Sequence, residues 1–214
     1  MPIRLLTSGP QNASAALVLA HGAGAPEDSP FMQAISDGLS SRGWIVHRFA
    51  FPYMQRAREL GRQRPPDRAP VLLQCMRDVV RQLDSSVPLF LGGKSMGGRM
   101  ASLLLDELSA EGAGICGGIC LGYPFHPLGK PLQTRIDHLR VLQTPCLIVQ
   151  GERDAMGRKD EVLGYGLEMP LQLRWIPDGD HSFTPRKSSG RSEALNLSCA
   201  VEHADKFMRN LIQA

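Results

Sequence analysis

Three segments of this 214-residue chain carry the residue types that acyl transfer needs. Ser95 stands in Gly93-Lys94-Ser95-Met96-Gly97, Asp154 in Gly151-Glu152-Arg153-Asp154, and His181 in Gly179-Asp180-His181-Ser182-Phe183. A serine hydroxyl is a weak nucleophile until a neighbouring base takes its proton. An imidazole does this best when a carboxylate fixes its tautomer and stabilises the imidazolium. Ser95 also has the right local context for G-x-S-x-G: the apolar run Val87 to Leu91 precedes it and a helical pattern follows at once, so the motif reads as strand, sharp turn, helix. Gly93 and Gly97 leave room for the strand and helix to pack across the turn. The start of a helix offers unpaired N–H groups and partial positive charge, which favour an alkoxide and then an oxyanion. Two N–H donors must face that oxyanion. The sequence offers Met96, directly after the serine, and a donor from His21-Gly22-Ala23-Gly24-Ala25, with Ala23 the first choice and Gly22 the second.

Rival residues are weaker. Gly93-Lys94-Ser95 could close a phosphate-binding loop, but that motif needs a glycine where Pro88 stands, and Leu89, Phe90 and Leu91 suit a strand better than a phosphate cradle. Of the six histidines, His21 reads as a shaper of the oxyanion loop and His47 lies within a strand. His138 and His203 fall on helices, and His126 is a pocket candidate. Glu152 and Asp160 compete with Asp154 for the acid, whereas Asp178 and Asp180 suit turn-forming bonds before His181. Arg56, Arg58, Arg62, Arg64 and Arg68 crowd residues 53–68 against Glu59 and Asp67. They are read as a solvated loop paired with nearby acids, or else as a rim attracting an anionic substrate. Methionines 54, 156 and 169 read as core or pocket filling.

Strand-like runs that would position these residues alternate with helical patterns. Strands are predicted over 15–20, 44–49, 89–92, 115–121, 146–150 and 171–176. Helices are predicted over 31–42, 70–83, 96–108, 135–142 and 192–214, with loops at 21–30, 52–69, 123–131, 152–164 and 177–190. This alternation implies βαβ units and a mostly parallel sheet covered on both faces. Asp154 and His181 then fall just past strand ends, where sites in such sheets lie.

Bulk composition narrows the classes. The length suits one domain over residues 1–214. A net charge of +3 is too small to imply nucleic acid or a membrane surface, and no apolar run approaches the ~18 residues of a membrane span. The N-terminal ten residues lack a signal-peptide layout. The odd set of cysteines (75, 116, 120, 146 and 199) forms no C-x-x-C pair and reads as free thiols of a cytoplasmic protein.

The chain resembles the α/β-hydrolase superfamily, whose acid and base follow the nucleophile in the order serine, acid, histidine. It looks most like a small lidless branch, the KANL3/Tex30 hydrolase-like family related to dienelactone hydrolases. The matching pieces are residues 19–25, 92–99, Gly122-Tyr123-Pro124-Phe125-His126-Pro127, 151–154 and 179–183, which span nearly the whole chain in order. The resemblance implies an α/β-hydrolase fold without a separate cap, since too few residues lie between Leu121 and Cys146 to build one. It implies Ser95 as nucleophile, Asp154 as acid and His181 as base. Gly24, Lys94, Tyr123, His126 and Phe183, from their places in the neighbouring loops, are expected around the substrate. The expected activity is serine carboxylesterase or thioesterase chemistry on a small acyl substrate. No metal or cofactor is expected, no nucleic-acid or membrane partner, and the protein is a monomer or homodimer. The alternative is a hydrolase-fold module with an idle triad that works through a protein partner.

Overall fold

In the computed structural model, which describes residues 2–83 and 87–213, seven strands form one sheet. In chain order they are β1 (Leu5–Ser8), β2 (Ala16–Ala20), β3 (Ile45–Phe49), β4 (Leu89–Lys94), β5 (Ile115–Leu121), β6 (Cys146–Gly151) and β7 (Leu171–Ile176). The spatial order is β1-β3-β2-β4-β5-β6-β7, with β1 antiparallel to β3 and every other pairing parallel. The helices are α1 (Pro30–Ser40), α2 (Pro52–Glu59), α3 (Ala69–Leu83), α4 (Met96–Ala110), α5 (Asp137–Arg140), α6 (Lys159–Leu163) and α7 (Glu193–Ile212).

The strand composition follows from burial on both faces. All residues of β2, β4 and β6 are buried, so these strands are apolar runs and not alternating patterns. Successive side chains still point to opposite faces. Val18 and Leu91 join Met76, Leu104 and Leu105 beneath α3 and α4. Leu17, Leu19 and Phe90 join Ile35, Leu39, Val201 and Phe207 beneath α1 and α7. Each face has its own core. No helix among the described residues is long and apolar enough to cross a membrane.

Three strands or α-helices lie outside the sequence expectations. β1 has only four residues and contributes no fully buried side chain, so it carries no run to detect. Residues 52–69 are expected to be a loop, yet α2 occupies half of them, started by Pro52 at its first turn and buried through Tyr53 alone. The short α6 lies within the expected loop 152–164. The 135–142 helix shrinks to α5, and the expected end of the last helix at Ala214 lies outside the described residues. The chain runs from β2 to β3 on one side, then crosses to β4 on the other. The C-terminal ends of β2 and β4 are therefore neighbours, with Ala20 opposite Gly93. A crevice opens where the strand order reverses in this way.

Candidate active site

Ser95 occupies that crevice between β4 and α4. Its backbone has φ 51° and ψ −114°, a conformation that costs a non-glycine residue about 1–3 kcal/mol and persists only where the surroundings enforce it. The surroundings do so here. The Ser95 N–H donates to the Leu121 carbonyl at 3.0 Å, and the Arg99 N–H closes the first helical turn on the Ser95 carbonyl at 3.0 Å. Gly93 and Gly97 pass so close to each other and to the end of β2 that a Cβ on either would lie within 2.7 Å of backbone atoms.

The structure brings Asp154 and His181 to this serine. The Ser95 hydroxyl lies 2.9 Å from His181 Nε2, and His181 Nδ1 lies 2.7 Å from Asp154 Oδ2. Asp154 is fully buried. Its carboxylate accepts from Gln150 Nε2 at 2.8 Å and from the Met156 N–H at 2.8 Å, besides the imidazole. Since a carboxylate is acceptor-only, this leaves His181 Nδ1 as the protonated nitrogen and Nε2 free to accept from Ser95. Three side chains shape the His181 loop. Asp180 Oδ1 accepts from the N–H groups of Ser182 and Thr184. Lys94 Nζ donates to the His181 carbonyl. The buried Asn196 of α7 donates to the Phe183 carbonyl at 2.7 Å.

The 21–25 loop is oriented from behind. His21 Nε2 accepts from the Phe51 N–H at 3.0 Å, so Nδ1 carries the proton and donates to the Gly22 carbonyl at 2.7 Å. Burial lowers the pKa of His21 and keeps it neutral. The Tyr53 hydroxyl reaches the same Gly22 carbonyl at 3.1 Å and that of Ala23 at 3.0 Å. In a trans peptide the N–H points opposite to the preceding C=O. Pulling the Gly22 carbonyl toward His21 and Tyr53 therefore turns the Ala23 N–H the other way. Among the described residues neither the Ala23 nor the Met96 N–H has a partner.

Two clefts flank Ser95. One, of about 350 Å³, is lined by Gly22, Gly24, Phe31, Lys94 and His181 among others. The second, of about 280 Å³, is lined by Met96, Arg99, Pro124, Arg135 and Met156 among others. Gly24 and Lys94 thus line a cleft beside Ser95, whereas Tyr123, His126 and Phe183 line neither of the two. Tyr123 is fully buried and donates its hydroxyl to the Arg135 carbonyl at 2.8 Å. His126 is turned to the Pro127 carbonyl and to Glu161. Phe183 is fully buried, 5.5 Å from the Phe31 ring that it supports. The arginines of 53–68 divide: Arg56 pairs with Asp67, and Arg58 pairs with Glu27 and Asp28. Arg62 and Arg64 line a separate cavity of about 370 Å³ beside Ala23. Among the rival acids, Glu152 is held by Lys159 and the Asp178 N–H. No group of His, Cys, Asp or Glu side chains among the described residues is placed to hold a metal ion. The five cysteines are free thiols.

Lys94 carries a measurable consequence. Its ammonium lies 5.4 Å from the Phe31 ring centroid. Burial lowers its pKa to about 8, with Asp154 and Asp180 pulling weakly the other way. Below pH 8 both folded and unfolded chains hold this proton, and the fold bears the full cost of the buried charge. Between pH 8 and the unfolded value of 10.5 the unfolded chain binds the extra proton, so stability rises with pH by up to ~3 kcal/mol. Lys94→Met is expected to remove that rise. Urea denaturation of both proteins at about pH 7.5 and about pH 10 measures it, and equal pH slopes would exclude a depressed Lys94.

A family model described as an alpha/beta hydrolase domain matches residues 13–209. Several solved structures share the architecture at low identity. The dienelactone hydrolase of Anabaena variabilis is 18% identical with a TM-score of 0.72, the match covering 97% of this chain and 91% of that one. Est1E of Butyrivibrio proteoclasticus, solved with ferulic acid bound, is 17% identical with a TM-score of 0.72, covering 99% and 96%. A serine hydrolase without a lid from Xanthomonas campestris is 18% identical with a TM-score of 0.71, covering 97% and 88%.

Proposed function

Because the chain belongs to the alpha/beta hydrolase domain family, we propose that it is a serine hydrolase of carboxylesterase or thioesterase type, moving a small acyl group from ester to water through Ser95. One observation carries the reading: the 2.9 Å and 2.7 Å contacts that join Ser95, His181 and Asp154 in line at a serine with positive φ. Neighbours of the same fold that are named for dienelactone hydrolysis, or as serine hydrolases without a lid, support this class of chemistry, as does the likeness to the KANL3/Tex30 branch.

In this reading His181 Nε2 takes the Ser95 proton as Oγ attacks the carbonyl carbon. The negative charge passes to the carbonyl oxygen, which the N–H groups of Met96 and Ala23 hold. Asp154 stabilises the imidazolium. His181 then gives its proton to the leaving oxygen or sulfur, which departs and leaves an acyl-serine. Water, deprotonated by the same nitrogen, attacks that acyl group; the bond to Oγ then breaks as His181 returns the proton to Ser95, and the free acid departs. The open clefts on both sides of Ser95 give the substrate access without movement of a cap.

Intact-protein mass spectrometry after a fluorophosphonate probe tests the proposal. One adduct is expected on the wild type, none on Ser95→Ala, and labelling slowed at least ~100-fold in His181→Ala. A folded wild type that takes no adduct would overturn the reading.

A further inference from the structure

The second cleft is built for charge. Arg99 stands one turn beyond Ser95 on α4, and Arg135 enters from the loop before α5. Both line the same cavity as Ser95 and Met96. Neither guanidinium forms an ion pair or a hydrogen bond with any described residue, and Arg99 Nε is buried without a partner. This sets them apart from Arg56, Arg58, Arg77, Arg153 and Arg186, all of which meet carboxylates. Asp67, which also lines the cleft, is engaged by Arg56 through Oδ1, and its Oδ2 is buried without a hydrogen-bond partner. The neighbouring His138 adds no charge to the cleft. Burial and then Arg99 push it down to about 4, and its Nε2 sits 2.9 Å from the Ser102 hydroxyl. Burial and then Arg99 likewise lower Arg135. Two like charges in one cleft, neither of them ion-paired and one with an orphaned buried donor, form a site that an anion completes.

We propose that Arg99 and Arg135 bind a carboxylate carried by the substrate, so that this protein acts on esters or thioesters with a second, ionised carboxyl group. The proposal rests on Ser95 being the nucleophile, because the cleft is adjacent to that residue. Guanidinium groups match a carboxylate with paired N–H donors, and a ligand seated there lies within reach of Ser95 Oγ. Anion recognition, one of two readings of the 53–68 arginines, is here assigned to two residues outside that segment.

Two ester pairs test this. Mono-4-nitrophenyl adipate and 4-nitrophenyl hexanoate differ by a carboxylate at the end of the acyl chain. The hexanoate esters of 4-hydroxybenzoate and of its methyl ester differ in the same way on the leaving side. In one pair the charged member is expected to show kcat/KM higher by about tenfold or more, with the advantage falling to about twofold or less in Arg99→Gln and in Arg135→Gln. Calorimetric binding of the same esters to Ser95→Ala, which cannot turn over, reads the site independently of chemistry. The charged ester should bind about tenfold more tightly, and lose this in the Ser95→Ala/Arg135→Gln double variant. Arg135 lies in a loop, so its variant remains informative even where Arg99→Gln fails to fold. No charge preference in either pair, or a preference that survives both substitutions, overturns the anion site. Arginine-dependent binding to Ser95→Ala without hydrolysis by the wild type upholds the anion site and overturns the hydrolytic reading alone.

Discussion

Asp154→Asn is expected to lower kcat by roughly 10⁴-fold with little change in KM, although it alters a single atom. The carboxylate accepts three hydrogens, from Gln150 Nε2, the Met156 N–H and His181 Nδ1. An amide cannot replace it in either orientation. With its oxygen toward Met156, its NH₂ faces the NH₂ of Gln150 and forces His181 Nδ1 to act as acceptor. The ring proton then moves to Nε2, where it points at Ser95 and blocks proton removal. With its oxygen toward Gln150 and His181, its NH₂ meets the Met156 N–H, and the imidazolium loses its counter-charge. Glu152→Gln removes a carboxylate two residues away that is held by Lys159 and the Asp178 N–H, so less than about tenfold is expected there. Steady-state hydrolysis of a 4-nitrophenyl ester, with circular dichroism to establish folding, distinguishes the two. An Asp154→Asn protein retaining a tenth of wild-type kcat would remove Asp154 from the mechanism.

The legible part of the site shares one physical property. Ser95, Asp154 and His181 each stand within five residues of the end of a parallel strand, and such a strand is the plainest signal a sequence carries. The residues that hold them in place lack such a signal. Gln150 is the last side chain of an apolar run, and nothing local distinguishes it from a strand terminus. Only the fold shows it bridging the Tyr123 N–H and Asp154. Tyr53 acts through carbonyls 30 and 31 residues away, and Asn196 through one 13 residues away. Arg99 and Arg135 carry no role that the sequence assigns, and only the fold sets them in one cleft. The arginine cluster at 53–68 leaves two readings open in the sequence for the converse reason: Glu27 and Asp28, which neutralise Arg58, are distant in sequence. The expected roles for Tyr123, His126 and Phe183 rest on neighbourhood in the chain. A turn just past a strand end can send its side chains inward as readily as toward the cleft, and Tyr123 and Phe183 are wholly buried.

Gly97→Ala is expected to destabilise the protein by ~3 kcal/mol or more and to slow whatever remains folded by about 100-fold. A Cβ at this position would lie 2.5 Å from the Ala20 carbonyl oxygen and 2.6 Å from that of His21. Both are backbone atoms, so no rotamer change relieves the clash. Either α4 or the end of β2 must move, and β2 is fixed between β3 and β4. The movement falls on the catalytic geometry, because the Met96 N–H starts α4 and the Ala23 N–H follows β2 by three residues. Forcing these elements apart widens the space between the two donors that an oxyanion would have to bridge. Gly24→Ala provides the contrast. It lies in the same loop and lines the cleft, but nothing lies within 4 Å of an added Cβ, so its stability should stay within ~0.5 kcal/mol of wild type. Urea denaturation and kcat/KM for both variants measure the difference. A Gly97→Ala protein within ~1 kcal/mol and twofold in rate of wild type would show that β2 and α4 are free to separate, and that their close approach at Gly97 does not set the position of Ser95.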